Sequence, residues 1–218
     1  MKYSVLFFAL MTGVAAPAFS QCCGYGMSYD NVTVWPQPIL HHAGEPEPKY
    51  KKPPLITAPP NVEANARTLS MNFPPAQRAE MEKAFILSMD VYTQVEKKMG
   101  WFPRDLAGAL SAFVVGNYMV MKNTDVSDEA FDAVTRQFRA QDNLRDMLKN
   151  NPPEKVRDVF EQSAMIGAFM AVTQKSLKQH PQPPAVLKNL HNAAVENLKL
   201  VMRTAPDKLN IDITGIAQ

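Results

Sequence analysis

Beyond residue 66, apolar residues recur at spacings of three and four, and that rhythm predicts helices. Over about 75–99, Met81, Phe85, Met89, Tyr92, Val95 and Met99 form one stripe, and Gly100 is placed to end it. A second helix is expected from Pro103, a favourable first-turn proline, to about residue 123. Between Asp105 and Lys122 sixteen residues carry no charge, which is short for a membrane span and reads as a central helix buried on all sides. The third helix is expected over about 127–148 with a break near Asp142. Ser127 is its candidate cap, Asp128 and Glu129 suit the positive end of the dipole, and Phe131, Val134 and Phe138 face inward. Asn151-Pro152-Pro153-Glu154 has the form of a capping box and opens a fourth helix to about residue 179. Its uncharged stretch from Gln162 to Gln174 marks the second central helix. The fifth covers about 184–203, with Leu187, Leu190, Ala194, Leu198 and Val201 on one face.

Two short segments alternate instead. Arg67 to Phe73 does so in part, and in Lys208 to Thr214 the residues Leu209, Ile211 and Ile213 alternate with polar ones. The two segments are expected to pair. The fold class is therefore all-α: a five-helix bundle with two central apolar helices and a small terminal two-stranded pairing. Small residues recur on the central helices, with Gly108, Ala112 and Gly116 on one and Ala164, Gly167, Ala168 and Ala171 on the other. Their missing side chains predict a close crossing.

The N-terminal part is of another kind. Lys2, the apolar run Val5 to Met11 and the small residues Ala18 and Ser20 before Gln21 make residues 1–20 a secretory signal peptide. Residues 21–64 are rich in proline (Pro36, Pro38, Pro46, Pro48, Pro53, Pro54, Pro59, Pro60), which excludes helices and central strands and predicts an extended tail. Residues 65–218 then form the helical domain. Export to the periplasm or the outside follows, with no stable membrane span after cleavage. The formal charge is +2, with basic residues scattered among acids, so nothing electrostatic argues for nucleic acid. Cys22 and Cys23 are adjacent, where a ring between them would be strained; in an oxidising compartment either one is free to link two chains.

Catalytic patterns are missing from the sequence. There is no H-E-x-x-H, no C-x-x-C-H, no G-x-S-x-G and no phosphate-binding glycine loop, so no enzyme class, metal or cofactor is expected. His41 and His42 with the two cysteines are suitable metal ligands, but they lie in the tail without fixed geometry. His180 and His191 read as structural or surface residues. The methionines fall on helical stripes and read as core filling. Asp125, Asp128, Glu129 and Asp132 lack the glycine and terminal glutamate of a calcium loop and read as a solvated helix start. More informative are the polar residues of the central helices. Asn117, Tyr118, Gln162, Ser163, Thr173 and Gln174 form either an internal hydrogen-bond network or, through Asn117, Tyr118, Gln162 and Gln174, the polar groups of a small ligand pocket between the helices.

Phe73-Pro74-Pro75, Val95 to Gly100, Asp105 to Ala109 followed by Gly116-Asn117-Tyr118, and Met165 to Ala168 resemble a bacterial family of secreted helical proteins of unknown function. The resemblance covers about residues 66–215. It implies export and a helical domain and offers no catalytic residues. The function expected is non-enzymatic, through contacts with an unknown protein partner, with binding of a small apolar ligand in the bundle as the alternative. The predicted crossing supplies one test. Gly108→Leu is expected to lower stability by about 1–3 kcal/mol, and unchanged thermal unfolding would count against a tight environment there.

Overall fold

The structure is a computed structural model that describes residues 56–202 and 205–217. The expected signal peptide, most of the expected proline-rich tail, Cys22, Cys23, His41 and His42 lie outside the described residues. In chain order the elements are α1 (Val62–Ser70), a 3-10 turn (Pro75–Gln77), α2 (Arg78–Lys98), α3 (Leu106–Lys122), α4 (Asp128–Arg139) and α5 (Asp142–Asn150). They continue with α6 (Pro153–Gln179), α7 (Pro184–Val201), a 3-10 turn (Pro206–Lys208), β1 (Asn210–Asp212) and β2 (Gly215–Ala217). The all-α architecture with a small sheet is as expected, but seven α-helices are found among the described residues where five were predicted.

The additional helices have clear causes. Arg67 to Phe73, expected as a strand, belongs largely to α1: Asn65, Ala66, Leu69 and Ser70 are buried, a spacing that only a helix puts on one face. The break expected near Asp142 separates α4 from α5 completely, so the third predicted helix is two. Ser127 caps α4 as expected, its hydroxyl accepting from the amide of Ala130 at 3.2 Å. The other two caps differ. Pro103 precedes α3 and does not start it; Asp105 is the cap, its carboxylate accepting from the amide of Ala107 at 3.1 Å. Asn151 does not cap α6, because its side-chain amide donates to the carbonyl of Met147 at the end of α5.

Around the central helix the layers follow from burial. Every residue of α3 from Leu106 to Met121 is buried, as the uncharged run predicts. Its far end stops at Asn123, which takes the left-handed conformation (φ 50°) that asparagine tolerates at a helix terminus. α6 crosses α3, while α2, α4 and α7 pack around this pair, and α1 lies against α2 and α6.

The α3–α6 crossing is real, but its centre is one helical turn or more from where Gly108 stands. A Cβ on Gly116 would overlap the carbonyl of Gly167, and one on Gly167 would overlap the peptide between Ala112 and Phe113. Gly108 instead faces Trp101 and Tyr92: a Cβ there would lie 2.8 Å from the indole Cε3 and 2.8 Å from the phenol oxygen. Gly108 therefore reports on the packing of α2 and the α2–α3 loop, not on the crossing.

β1 pairs with β2 in an antiparallel hairpin, with Ile211 opposite Ile216, and not with the segment near residue 70. A local two-residue loop is closed at far less entropic cost than a pairing across the whole domain. Gly215 supplies the left-handed backbone (φ 107°) on leaving the loop. The Gln137 side chain holds the hairpin to α4: its Oε1 accepts from the Ile216 amide at 2.7 Å and its Nε2 donates to the Ile216 carbonyl at 3.2 Å.

Gly167→Ala is the direct test of the crossing. The methyl group has backbone on its far side and cannot be absorbed by a rotamer change. A loss of at least about 1–3 kcal/mol is expected in urea unfolding, and a wild-type midpoint would refute the contact.

Candidate functional site

Four of the six polar residues singled out in the sequence are engaged in the fold, in separate places, whereas Ser163 and Thr173 are buried with no hydrogen-bond partner among the described residues. Asn117 donates to the carbonyl of Phe113 at 2.8 Å, and its Oδ1 accepts from the Asn197 amide of α7 at 2.9 Å. The Tyr118 hydroxyl reaches Asn210 of β1 at 3.4 Å. Gln162 donates to Asn65 of α1 at 2.8 Å, and Gln174 donates to Asn123 at the end of α3 at 2.7 Å. They tie α3 to α7, α3 to the hairpin, α6 to α1 and α6 to α3. They do not converge on a shared cavity. A buried amide left without a partner costs about 1–3 kcal/mol, and pairing each with a residue on another helix removes that cost while fixing the helices' register.

The acidic residues near the start of α4 also have partners. Asp125 bonds Lys178 at 2.8 Å, Asp128 pairs with Lys98, and Asp132 pairs with Arg136 and accepts from the Trp101 indole at 2.8 Å. No group of three or more His, Cys, Asp or Glu placed to hold a metal ion occurs among the described residues. Met81, Met119, Met121, Met165 and Met170 are buried in the core, as their spacing predicts.

Two buried carboxylate clusters escaped the sequence reading. The first surrounds the start of α3. Glu96 of α2 is only 7% exposed; its Oε1 accepts from the Asp105 amide at 3.0 Å and stands 3.4 Å from the Tyr92 hydroxyl. Asp105 in turn receives the Arg139 Nε at 2.7 Å, and the Arg139 guanidinium lies over the Trp101 ring with 5.6 Å to its centroid. Between them the loop carries Arg104 with φ 59°, a conformation that non-glycine residues rarely adopt. Arg139 is committed to Asp105, so Glu96 is held by neutral donors. Desolvation by burial raises its carboxyl above the usual range, against the lowering effect of the backbone amides it accepts from. Tyr92 is likewise raised, first by burial and then by the two carboxylates.

The second cluster fastens the chain where it enters α1. Glu161 of α6 accepts from the Asn61 amide at 2.9 Å and from the Asn65 side chain at 2.7 Å. Arg157 donates to the Pro59 carbonyl at 3.3 Å, and Arg104 to the Ile56 carbonyl at 3.3 Å. The signal for both clusters was present but weak. Glu96 sits four residues after Tyr92, on the apolar stripe of α2, and Glu161 directly precedes the uncharged run of α6.

A surface hollow of ligand size lies elsewhere, between the far end of α3 and α7, with a volume of about 490 Å³. Met121, Met202 and Pro206 are its buried apolar lining, Val195 is half-buried, and Lys122, His191 and Lys199 are exposed at its edge.

The chain belongs to a family of unknown function (DUF6683), whose model matches residues 42–217. The match starts upstream of the expected resemblance and takes in part of the proline-rich segment assigned to the tail. No curated protein and no solved structure matches the chain. Among the described residues no helix is long and apolar enough to cross a membrane.

Two measurements follow from these clusters. The raised carboxyl of Glu96 means that the folded chain binds this proton more tightly than the unfolded chain, so its contribution favours folding increasingly as the pH falls through its folded-state value toward the ordinary carboxylate range. Comparing urea midpoints at neutral and mildly acidic pH, the wild type should gain relative to Glu96→Gln; a constant difference would refute the assignment. Asn197→Ala strips the Asn117 carbonyl of its partner and should cost about 1–3 kcal/mol. Asn117→Leu combined with Asn197→Leu, which removes both polar groups, should recover part of the loss in the same assay.

Proposed function

We propose that this chain is an exported, non-enzymatic protein that acts through protein contacts in the cell envelope or outside the cell. What supports this reading is how the interior is used. The amide side chains of the central helices, Asn117, Gln162 and Gln174, are bonded to neighbouring elements, and the Gly116–Gly167 crossing leaves no room there for a ligand between the two backbones. Such a domain is a rigid platform, and its surface is what it offers to others. Large apolar side chains stand out on that surface at Leu187 (41% exposed), Leu200 (49%) and Ile213 (70%). The signal peptide of residues 1–20 supports export.

The test has two arms. The intact mass of the protein from a cell fraction outside the cytoplasm should begin at Gln21, and a chain retaining Met1 in the cytoplasm would overturn export. A photo-crosslinking amino acid at Leu187, Leu200 or Ile213, introduced one at a time and irradiated in intact cells, should give a discrete heavier adduct from at least one position. Normal expression with no adduct from any of the three would overturn the contact reading.

A further inference from the structure

We propose that the hollow between α3 and α7 is a binding site for a small amphipathic monoanion of the medium-chain fatty-acid class. The inference goes beyond the contact role and rests on different residues. Its volume of about 490 Å³ falls in the range of small-ligand sites. The lining divides by chemistry. Met121, Val195, Met202 and Pro206 supply an apolar floor of unbranched sulfur-containing and small aliphatic groups, which adapts to a flexible chain.

The charged groups lie at the edge of that floor. Lys122 closes α3, and His191 and Lys199 flank Val195 on α7 at four-residue intervals, so all three α7 residues share one face. Lys122 donates to the Asp207 carbonyl at 2.7 Å and Lys199 to Glu196 at 2.8 Å. An ammonium has three protons, so each keeps donors for a further acceptor. Asp207 is the acidic residue at the edge. The lining itself carries two lysines and a histidine against the single carboxylate of Asp207, which tilts the balance toward an anion. An apolar floor under a cationic edge selects a ligand with a hydrocarbon body and one negative head. It disfavours a neutral lipid, which leaves the edge unpaired, and a cationic surfactant, which the lysines repel.

The test is titration of the full-length mature chain with dodecanoate below its micelle concentration, followed by calorimetry and native mass spectrometry. Dodecyltrimethylammonium, with the same tail, is the control. A saturable complex of one dodecanoate per chain is expected, with the cationic analogue at least about tenfold weaker. Val195→Glu, which puts an acid in the floor at a half-buried position, should weaken dodecanoate by about tenfold or more with the helical circular dichroism unchanged. Lys199→Glu at an exposed position should weaken it as well and provides the comparison if Val195→Glu fails to fold. Absence of saturable binding, equal binding of the two surfactants, or wild-type binding by folded Val195→Glu or Lys199→Glu would each overturn the proposal. None of these outcomes bears on the crosslinking test.

Discussion

The backbone contact at Gly116 and Gly167 is the constraint around which the other elements are arranged. Once α3 and α6 touch without side chains between them, the remaining circumference of α3 has to be covered by other elements, because every residue from Leu106 to Met121 is apolar or bonded internally. α4 covers one sector through Val134 and Phe138, and α7 covers another through Leu190, Ala194 and Leu198. At the start of α3, Gly108 lies against Trp101 and Tyr92 and leaves no space for a larger residue. Close packing transmits such a constraint: interiors at crystal-like density have few voids to absorb a shift.

Apolar packing alone tolerates sliding between helices, and the buried polar groups remove that freedom. Asn117 with Asn197 fixes the register of α7 on α3, Gln162 and Glu161 with Asn65 fix α1 on α6, and Gln137 fixes the hairpin on α4. Each pairing is worth little in net stability but is costly to break on one side. The Glu96–Asp105–Arg139 cluster works differently, because it holds charge away from water. Arg139 and Asp105 compensate each other, whereas Glu96 relies on amide donors and carries a desolvation cost at neutral pH. That cost accompanies the left-handed Arg104 in the same loop, so strain and unpaired charge are concentrated at one end of the bundle.

How legible this was in the sequence depends on the range of the interactions. The central helices were evident because an uncharged run of sixteen residues has one explanation in a domain of this size, and Ser127 announced its cap locally. α1 was misread because its apolar residues are few and its short pattern fits either period, until Glu161, about a hundred residues away, is seen to hold its start. The hairpin partner was misassigned because Ile216 looks unremarkable without Gln137 beside it. The same holds for the polar residues. Asn117 and Gln174 were recognisable as unusual, but their partners Asn197 and Asn123 are set by the fold, and so is the separation of the four residues into different ties. The α3–α7 hollow was invisible because His191, Val195 and Lys199 form an ordinary helical face until the end of α3 and Pro206 close around it.

The division of labour across the domain follows from these constraints. α3 and α6 have no exposed surface to offer along the crossing, and their amide side chains are already committed to neighbours. α7 is held mainly by α3 and leaves a broad face to solvent, with Leu187 and Leu200 exposed on it. An edge helix of this kind can be contacted without disturbing the α3–α6 crossing, since its own polar tie to the core is the bond from Asn197 to Asn117. The hollow beside it inherits the same independence: its floor is built from the ends of two helices whose positions are fixed elsewhere. A surface that binds while its support stays rigid loses little conformational entropy on binding, which is the physical argument for locating recognition on α7 and its border with α3 rather than in the core.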